Sequence, residues 1–84
     1  MNPIDAHTLL GRLLRGIAPD VELDELDPDA PLRDEADLDS MDFLNLVAAL
    51  HDETGIDVPE HDYSRLGTVN DFIAYVTAPE RSPS

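Results

Sequence analysis

Apolar residues near the start of the chain repeat at the spacing of one helical face. The residues of this face are Leu10, Leu13, Leu14 and Ile17. They fall at positions i, i+3, i+4 and i+7, which lie on the same side of an α-helix. The pattern predicts a first helix over residues 4–18. Pro19 follows it, and proline is common just past a helix because it cannot continue one.

A second helix is predicted over residues 40–54 by the same spacing. Its apolar positions are Phe43, Leu44, Val47 and Leu50. Asp39 is placed to cap its N-terminus, and Asp42 three residues later completes an acidic form of the capping box. Gly55 stands where a C-terminal cap belongs.

The end of the chain predicts one short helix or turn and one longer helix. Residues 56–59 are expected to be extended because Pro59 disfavours the helical conformation at Val58. Residues 60–66 can form the short helix. Thr68 is the predicted N-cap of the last helix. The apolar face of that helix consists of Val69, Phe72, Ile73 and Val76.

A loop of about twenty residues is expected between the first two helices, at residues 19–38. Loops of this length are uncommon in small domains unless they are functional or held against the core. The apolar residues that could hold it there are Val21, Leu23, Leu26, Leu32 and Leu38. The predicted fold is therefore an all-α bundle of three main helices and one short helix. We expect one domain over residues 1–77 and a flexible tail over residues 78–84.

The net charge of the chain limits the classes of molecule that it can bind. Nineteen acidic residues against five basic ones give a formal net charge of -14, which repels both nucleic acids and anionic lipid headgroups. The sequence also contains no cysteine and no apolar run long enough to span a membrane. We expect a cytoplasmic protein without nucleic-acid binding or membrane insertion, whose partners are basic.

The spacing of the residues excludes one candidate catalytic site and one candidate metal site. Ser40 and His51 have the residue types of a hydrolase triad, but eleven helical residues separate them by roughly 16 Å. An EF-hand counted from Asp20 places Glu25 where glycine is needed and Pro31 at the twelfth position. No catalytic residue and no metal site are predicted.

The start of the second helix carries the remaining chemistry. Ser40 is the first helical residue, so its hydroxyl lies beside unpaired backbone amides that stabilise a phosphate. Aspartate and serine are also common helix caps. The short segment alone therefore does not decide between a cap and a modification site.

Over residues 32–76 the sequence resembles the acyl carrier proteins. In that family the second helix opens with Asp-Ser-Leu or Asp-Ser-Met, and the serine carries a 4'-phosphopantetheine arm. The matching features are Leu38-Asp39-Ser40-Met41-Asp42, the aliphatic run to Leu50, the acidic pair Asp52-Glu53, the turn Gly55-Ile56-Asp57-Val58-Pro59, and Leu66-Gly67-Thr68-Val69. The resemblance implies an acyl-carrier-like four-helix bundle.

It further implies that a phosphopantetheinyl transferase attaches the arm to Ser40 from coenzyme A. Asp39 would cap the helix and orient the hydroxyl. Acyl intermediates of fatty-acid, polyketide or specialised lipid synthesis would be held on the arm as thioesters. The chain would then be a monomeric covalent carrier and not an enzyme.

The resemblance also suggests which surfaces meet acyl-loading, condensing and acyl-transferring enzymes with basic docking surfaces. The predicted acidic docking residues are Asp37, Asp42, Asp52, Glu53 and Asp57. Met41 is either an apolar docking contact or a residue at the edge of the core. An acyl cleft is expected at Leu44, Val47, Tyr63 and Leu66. A bulky phenol at Tyr63 would shorten that cleft and favour short cargo.

Two alternatives remain. A peptidyl or aminoacyl carrier would use the same arm, although its serine more often follows a Gly-Gly-His or Gly-Gly-Asp run, and residues 35–38 differ from that pattern. An acidic interaction module without a prosthetic group would never be modified. Within the acyl carriers, Asn45 and Ala48 depart from the usual fatty-acid-synthesis residues and leave specialised pathways open.

Overall fold

Helices joined by turns make up residues 1–78, the part of the chain described by the computed structural model. The α-helices are α1 (Pro3–Ile17), α2 (Leu32–Glu35), α3 (Ser40–Thr54) and α4 (Val69–Thr77), and 3₁₀ segments occupy Leu23–Glu25 and Glu60–Leu66. No strand occurs in these residues. The all-α prediction of three main helices and one short one is confirmed, the short one being the 3₁₀ segment at Glu60–Leu66. All of the predicted tail except Ala78 lies outside the described residues.

Side-chain caps determine where the long helices begin. Asn2 Oδ1 accepts a hydrogen bond from the Asp5 amide at 2.8 Å, so α1 starts one residue earlier than the apolar pattern predicts. Thr68 Oγ1 accepts from the Asp71 amide at 2.9 Å, as predicted for α4. At the end of α3, Gly55 adopts a φ of 76°, a left-handed conformation that glycine accepts readily.

The apolar faces of the helices meet in one core. α1 packs against both α3 and α4, and α4 packs against the 3₁₀ segment Glu60–Leu66. The largest completely buried side chains are Phe72, Leu10, Leu14, Leu32, Leu46, Leu50, Leu66 and Val76. Burying each such side chain contributes about 1.5–3 kcal/mol, so these faces supply most of the folding free energy. No helix in residues 1–78 has the length and apolar character needed to cross a membrane.

The segment between α1 and α3 is more ordered than a simple loop. It contains a 3₁₀ turn and the short helix α2, which the sequence pattern does not predict. Leu32 and Leu38 are buried, and the other three predicted apolar contacts of the loop are partly buried against the core. Backbone hydrogen bonds also hold this segment in place. The Leu32 amide donates to the Gly67 carbonyl at 2.7 Å, and the Asn70 amide donates to the Pro28 carbonyl at 3.1 Å. These contacts fix α2 beside the start of α4.

Candidate functional site at the start of α3

The capping box predicted for α3 is present. Asp39 Oδ1 accepts from the Asp42 amide at 2.8 Å, and Asp42 Oδ2 accepts from the Asp39 amide at 3.4 Å. Ser40 is the first residue of the helix and is exposed. Its hydroxyl is therefore accessible from solvent, beside the helix end where backbone amides favour an anionic group.

A tight turn brings α2 against this hydroxyl. Asp37 has a φ of 55°, and the Leu38 amide donates to the Arg33 carbonyl at 2.8 Å. A left-handed residue just past a helix, together with this hydrogen bond, forms a Schellman motif at the C-terminus of the helix. Here the helix is α2. The chain reverses within Asp37 and Leu38 and enters the N-cap of α3 immediately afterwards.

The turn places a positive charge on the predicted modification site. Arg33 Nη2 donates to Ser40 Oγ at 3.0 Å, and the Arg33 guanidinium carbon lies 6.0 Å from the centre of the Phe43 ring. The sequence pattern does not single out Arg33, because it lies seven positions before Ser40 and only the turn at Asp37 brings the two together. An arginine shortly before the serine is the one signal that could have suggested it.

A surface pocket opens beside Ser40, between α3 and the 3₁₀ segment Glu60–Leu66. It has a volume of about 360 Å³ and is lined by Arg33, Ser40, Phe43, Leu44, Glu60, Tyr63, Ser64 and Gly67. The Phe43 and Tyr63 rings meet edge to face, with their centres 5.9 Å apart. Of the four residues predicted for an acyl cleft, Leu44 and Tyr63 line this pocket. Val47 and Leu66 are buried in the core and do not line it.

The predicted docking residues differ in their availability. Four of the five carboxylates are exposed: Asp37, Asp52, Glu53 and Asp57. Asp42 is half-buried within the capping box, and Glu53 forms an ion pair with Arg12 at 3.2 Å. Asp57 Oδ1 lies 3.3 Å from His51 Nδ1. Intramolecular partners therefore compete with a docking enzyme for Asp42, Glu53 and Asp57.

Two apolar side chains are exposed on α3 close to Ser40. Met41 is 65% exposed and Leu44 is 45% exposed. Met41 is thus not a residue of the core edge, which was one of its two interpretations. Because the two residues are three positions apart on a helix, they lie on the same side of it and form one small apolar patch. We call Met41 and Leu44 the α3 apolar patch.

Comparison with known proteins identifies the family. A family model described as a phosphopantetheine attachment site matches residues 8–76. An acyl carrier protein from Streptomyces coelicolor is 35% identical over 72 residues, which cover 86% of this chain and 78% of that protein. The chain belongs to the acyl carrier protein family. The prosthetic group of an acyl carrier is a covalently attached 4'-phosphopantetheine, and carriers of this family interact with a phosphopantetheinyl transferase and with biosynthetic enzymes.

The residues at the start of α3 fit an arm attached through a phosphate. An exposed hydroxyl is present as the acceptor atom, and a guanidinium lies 3.0 Å from it. The first amides of a helix add partial positive charge. In this acyl carrier chain, these groups form a favourable environment for a phosphodiester.

Proposed function

We propose that Ser40 carries the 4'-phosphopantetheine arm and that the chain presents acyl groups to enzymes of fatty-acid, polyketide or specialised lipid synthesis. The observation that supports this most directly is the exposed Ser40 hydroxyl at the first turn of α3, on the wall of the pocket. When bound, the arm supplies a thiol that holds the cargo as a thioester. The chain has no cysteine of its own, so cargo has no protein thiol to which it could migrate.

In the modification step, Ser40 acts as the nucleophile within the active site of the transferase. Ser40 Oγ forms a bond to the β-phosphorus of coenzyme A, and the bond to the departing adenosine 3',5'-bisphosphate breaks. The hydroxyl proton passes to a base on the transferase or to water. Asp39 fixes the first turn of α3 so that the hydroxyl is held at the surface. The chain itself completes no catalytic cycle, because it is a substrate of the enzymes that modify and load it.

We further propose that partner enzymes dock on the acidic surface and on the α3 apolar patch. Exposed carboxylates speed the encounter with a basic enzyme surface without requiring tight binding. Met41 and Leu44 add an apolar contact next to the arm. Asp37 and Asp52 are better placed for this role than the other three, whose carboxylates have partners within the chain. The cytoplasmic location and the monomeric state stay predictions of the sequence.

Cargo is proposed to be short because two aromatic rings narrow the pocket. Tyr63 meets Phe43 edge to face at 5.9 Å, so an acyl chain entering between α3 and the 3₁₀ segment encounters this pair. We expect Tyr63→Ala to admit longer chains than the wild type. Amide chemical shifts of pocket residues, followed as chain length increases, measure this. Burial of the first several carbons of a long chain in the wild type would contradict the proposal.

Intact mass spectrometry tests the attachment site. The wild type is incubated with coenzyme A and a promiscuous phosphopantetheinyl transferase, beside Ser40→Ala and Ser64→Ala. Ser64 lines the same pocket and is also exposed, so it is a matched control. We expect one added arm on the wild type and on Ser64→Ala, and none on Ser40→Ala. If the wild type stays unmodified, the result favours an acidic interaction module. If the wild type is modified but the arm can be loaded only from aminoacyl donors, the result favours a peptidyl or aminoacyl carrier.

A further inference from the structure

We propose that Arg33 pairs with the phosphodiester of the modified chain and holds the start of the arm at the mouth of the pocket. This inference rests on the proposed modification of Ser40. It assigns to Arg33 a positioning role toward the prosthetic group.

The first argument is distance. Arg33 Nη2 already donates to Ser40 Oγ at 3.0 Å, and this oxygen is the atom that would become the ester oxygen. The other phosphate oxygens would lie one phosphorus atom beyond it, within reach of a small adjustment of the arginine side chain. Guanidinium presents several donors in a planar fork that matches phosphate oxygens.

The second argument is that the hydrogen-bond partner of Arg33 is Ser40 and not a carboxylate. Within residues 1–78 Arg15 also lacks an ion pair, but only Arg33 donates to Ser40. In a chain with nineteen acidic residues, Arg12 pairs with Glu53 at 3.2 Å and Arg65 lies 3.9 Å from Asp62. Arg33 has no carboxylate of residues 1–78 within ion-pair distance and donates to a neutral hydroxyl instead. Its charge is therefore available for a new anion at Ser40.

The third argument is local charge balance. Asp37, Asp39 and Asp42 surround Ser40 in sequence, and a phosphodiester adds a further negative charge to a chain whose net charge is already -14. Without a nearby cation, that addition raises the electrostatic repulsion in the folded state. Arg33 is placed to offset it. Since both Arg33 and Ser40 line the pocket, the pairing would direct the first part of the arm along the pocket wall.

The experiment compares unfolding midpoints of the full chain before and after modification. Arg33→Met keeps the length of the side chain and removes its charge, whereas Arg33→Lys keeps the charge without the fork. Arg15→Met is the matched control, since Arg15 is also exposed and has no ion pair within residues 1–78. Modification should lower the midpoint by roughly 1–8 °C more in Arg33→Met than in the wild type, which is the range of one exposed ion pair in a small domain. Arg33→Lys should recover part of this difference, Arg15→Met should match the wild type, and high salt should shrink the effect.

A second readout uses only the wild type. The nuclear magnetic resonance signal of the Arg33 Nε–H group should shift between the unmodified and modified chains, while that of Arg15 should not. If the Arg33 signal is unchanged, or if Arg33→Met lowers both midpoints equally, Arg33 has only a structural role and the inference is wrong. Intact mass separates this failure from that of the proposed function, because absence of the arm from Ser40 would overturn both.

Discussion

The two acids of the α3 capping box should contribute unequally to stability. The bond that ends on Asp39 Oδ1 is 2.8 Å long, whereas the reciprocal bond that ends on Asp42 Oδ2 is 3.4 Å long. An N–H···O bond near 2.9 Å is close to optimal, and one at 3.4 Å is weak. Replacing Asp39 with alanine therefore removes the strong half of the box, and replacing Asp42 removes the weak half.

The expected magnitudes follow from this difference. Loss of an N-cap side chain costs about 1 kcal/mol, and loss of its charge next to the helix dipole costs about 0.3–1 kcal/mol more. Asp39→Ala should thus lower the free energy of unfolding by about 1–2 kcal/mol, from a total of about 5–15 kcal/mol for a typical domain. Asp42→Ala should lower it by about 0.5 kcal/mol, mainly through the dipole.

Urea unfolding followed by circular dichroism measures both values, with an unchanged m-value as the check on two-state behaviour. Asp39→Asn is the matched control because it keeps the capping oxygen and removes the charge. It should lose only the contribution of the charge, about 0.3–1 kcal/mol, and so less than Asp39→Ala, since asparagine caps helices as well as aspartate does. If Asp39→Ala and Asp42→Ala lower the free energy of unfolding equally, the lengths of the two capping hydrogen bonds do not reflect their strengths, and the reasoning is refuted. A loss for Asp39→Asn as large as that for Asp39→Ala would show that charge, and not the hydrogen bond, stabilises this end of α3.

Other substitutions test the packing, the turn and the surface charges. Leu46 is completely buried, so Leu46→Ala should cost about 2–5 kcal/mol and lower the thermal unfolding midpoint accordingly. Asp37 has a φ of 55°, so Asp37→Gly should leave stability unchanged or raise it, whereas Asp37→Ala should cost about 1 kcal/mol in urea unfolding. The pair between Arg12 and Glu53 is exposed on both sides. A double-mutant cycle should give it a coupling below about 1 kcal/mol that decreases as salt is added.

The helices could be predicted from sequence because each carries its own signal. Apolar spacing gives the buried face, and Asp39, Gly55 and Thr68 provide caps that act within a few residues of themselves. The position of Ser40 at the N-terminus of α3 follows from the same local rules. Its exposure follows as well, because the buried face of the helix begins at Phe43.

The surroundings of Ser40 could not be predicted, because they depend on contacts between distant parts of the chain. α2 is held by a bond from the Leu32 amide to the Gly67 carbonyl, across 35 positions of sequence. The pocket wall depends on how the 3₁₀ segment Glu60–Leu66 lies against α3. That arrangement places Phe43 and Gly67 at the pocket surface, whereas Val47 and Leu66 face the core. Helical spacing identifies a face but not the neighbour that covers it.

Arg33 links the turn to the site through two different groups. Its backbone carbonyl accepts the Leu38 amide that closes the turn, and its side chain donates to Ser40. A change that distorts the turn therefore also displaces the guanidinium from Ser40. Asp37→Gly preserves the left-handed conformation at this position, so it should leave the contact between Arg33 and Ser40 intact. Asp37→Ala strains the turn, and it should weaken that contact even where the rest of the fold is retained.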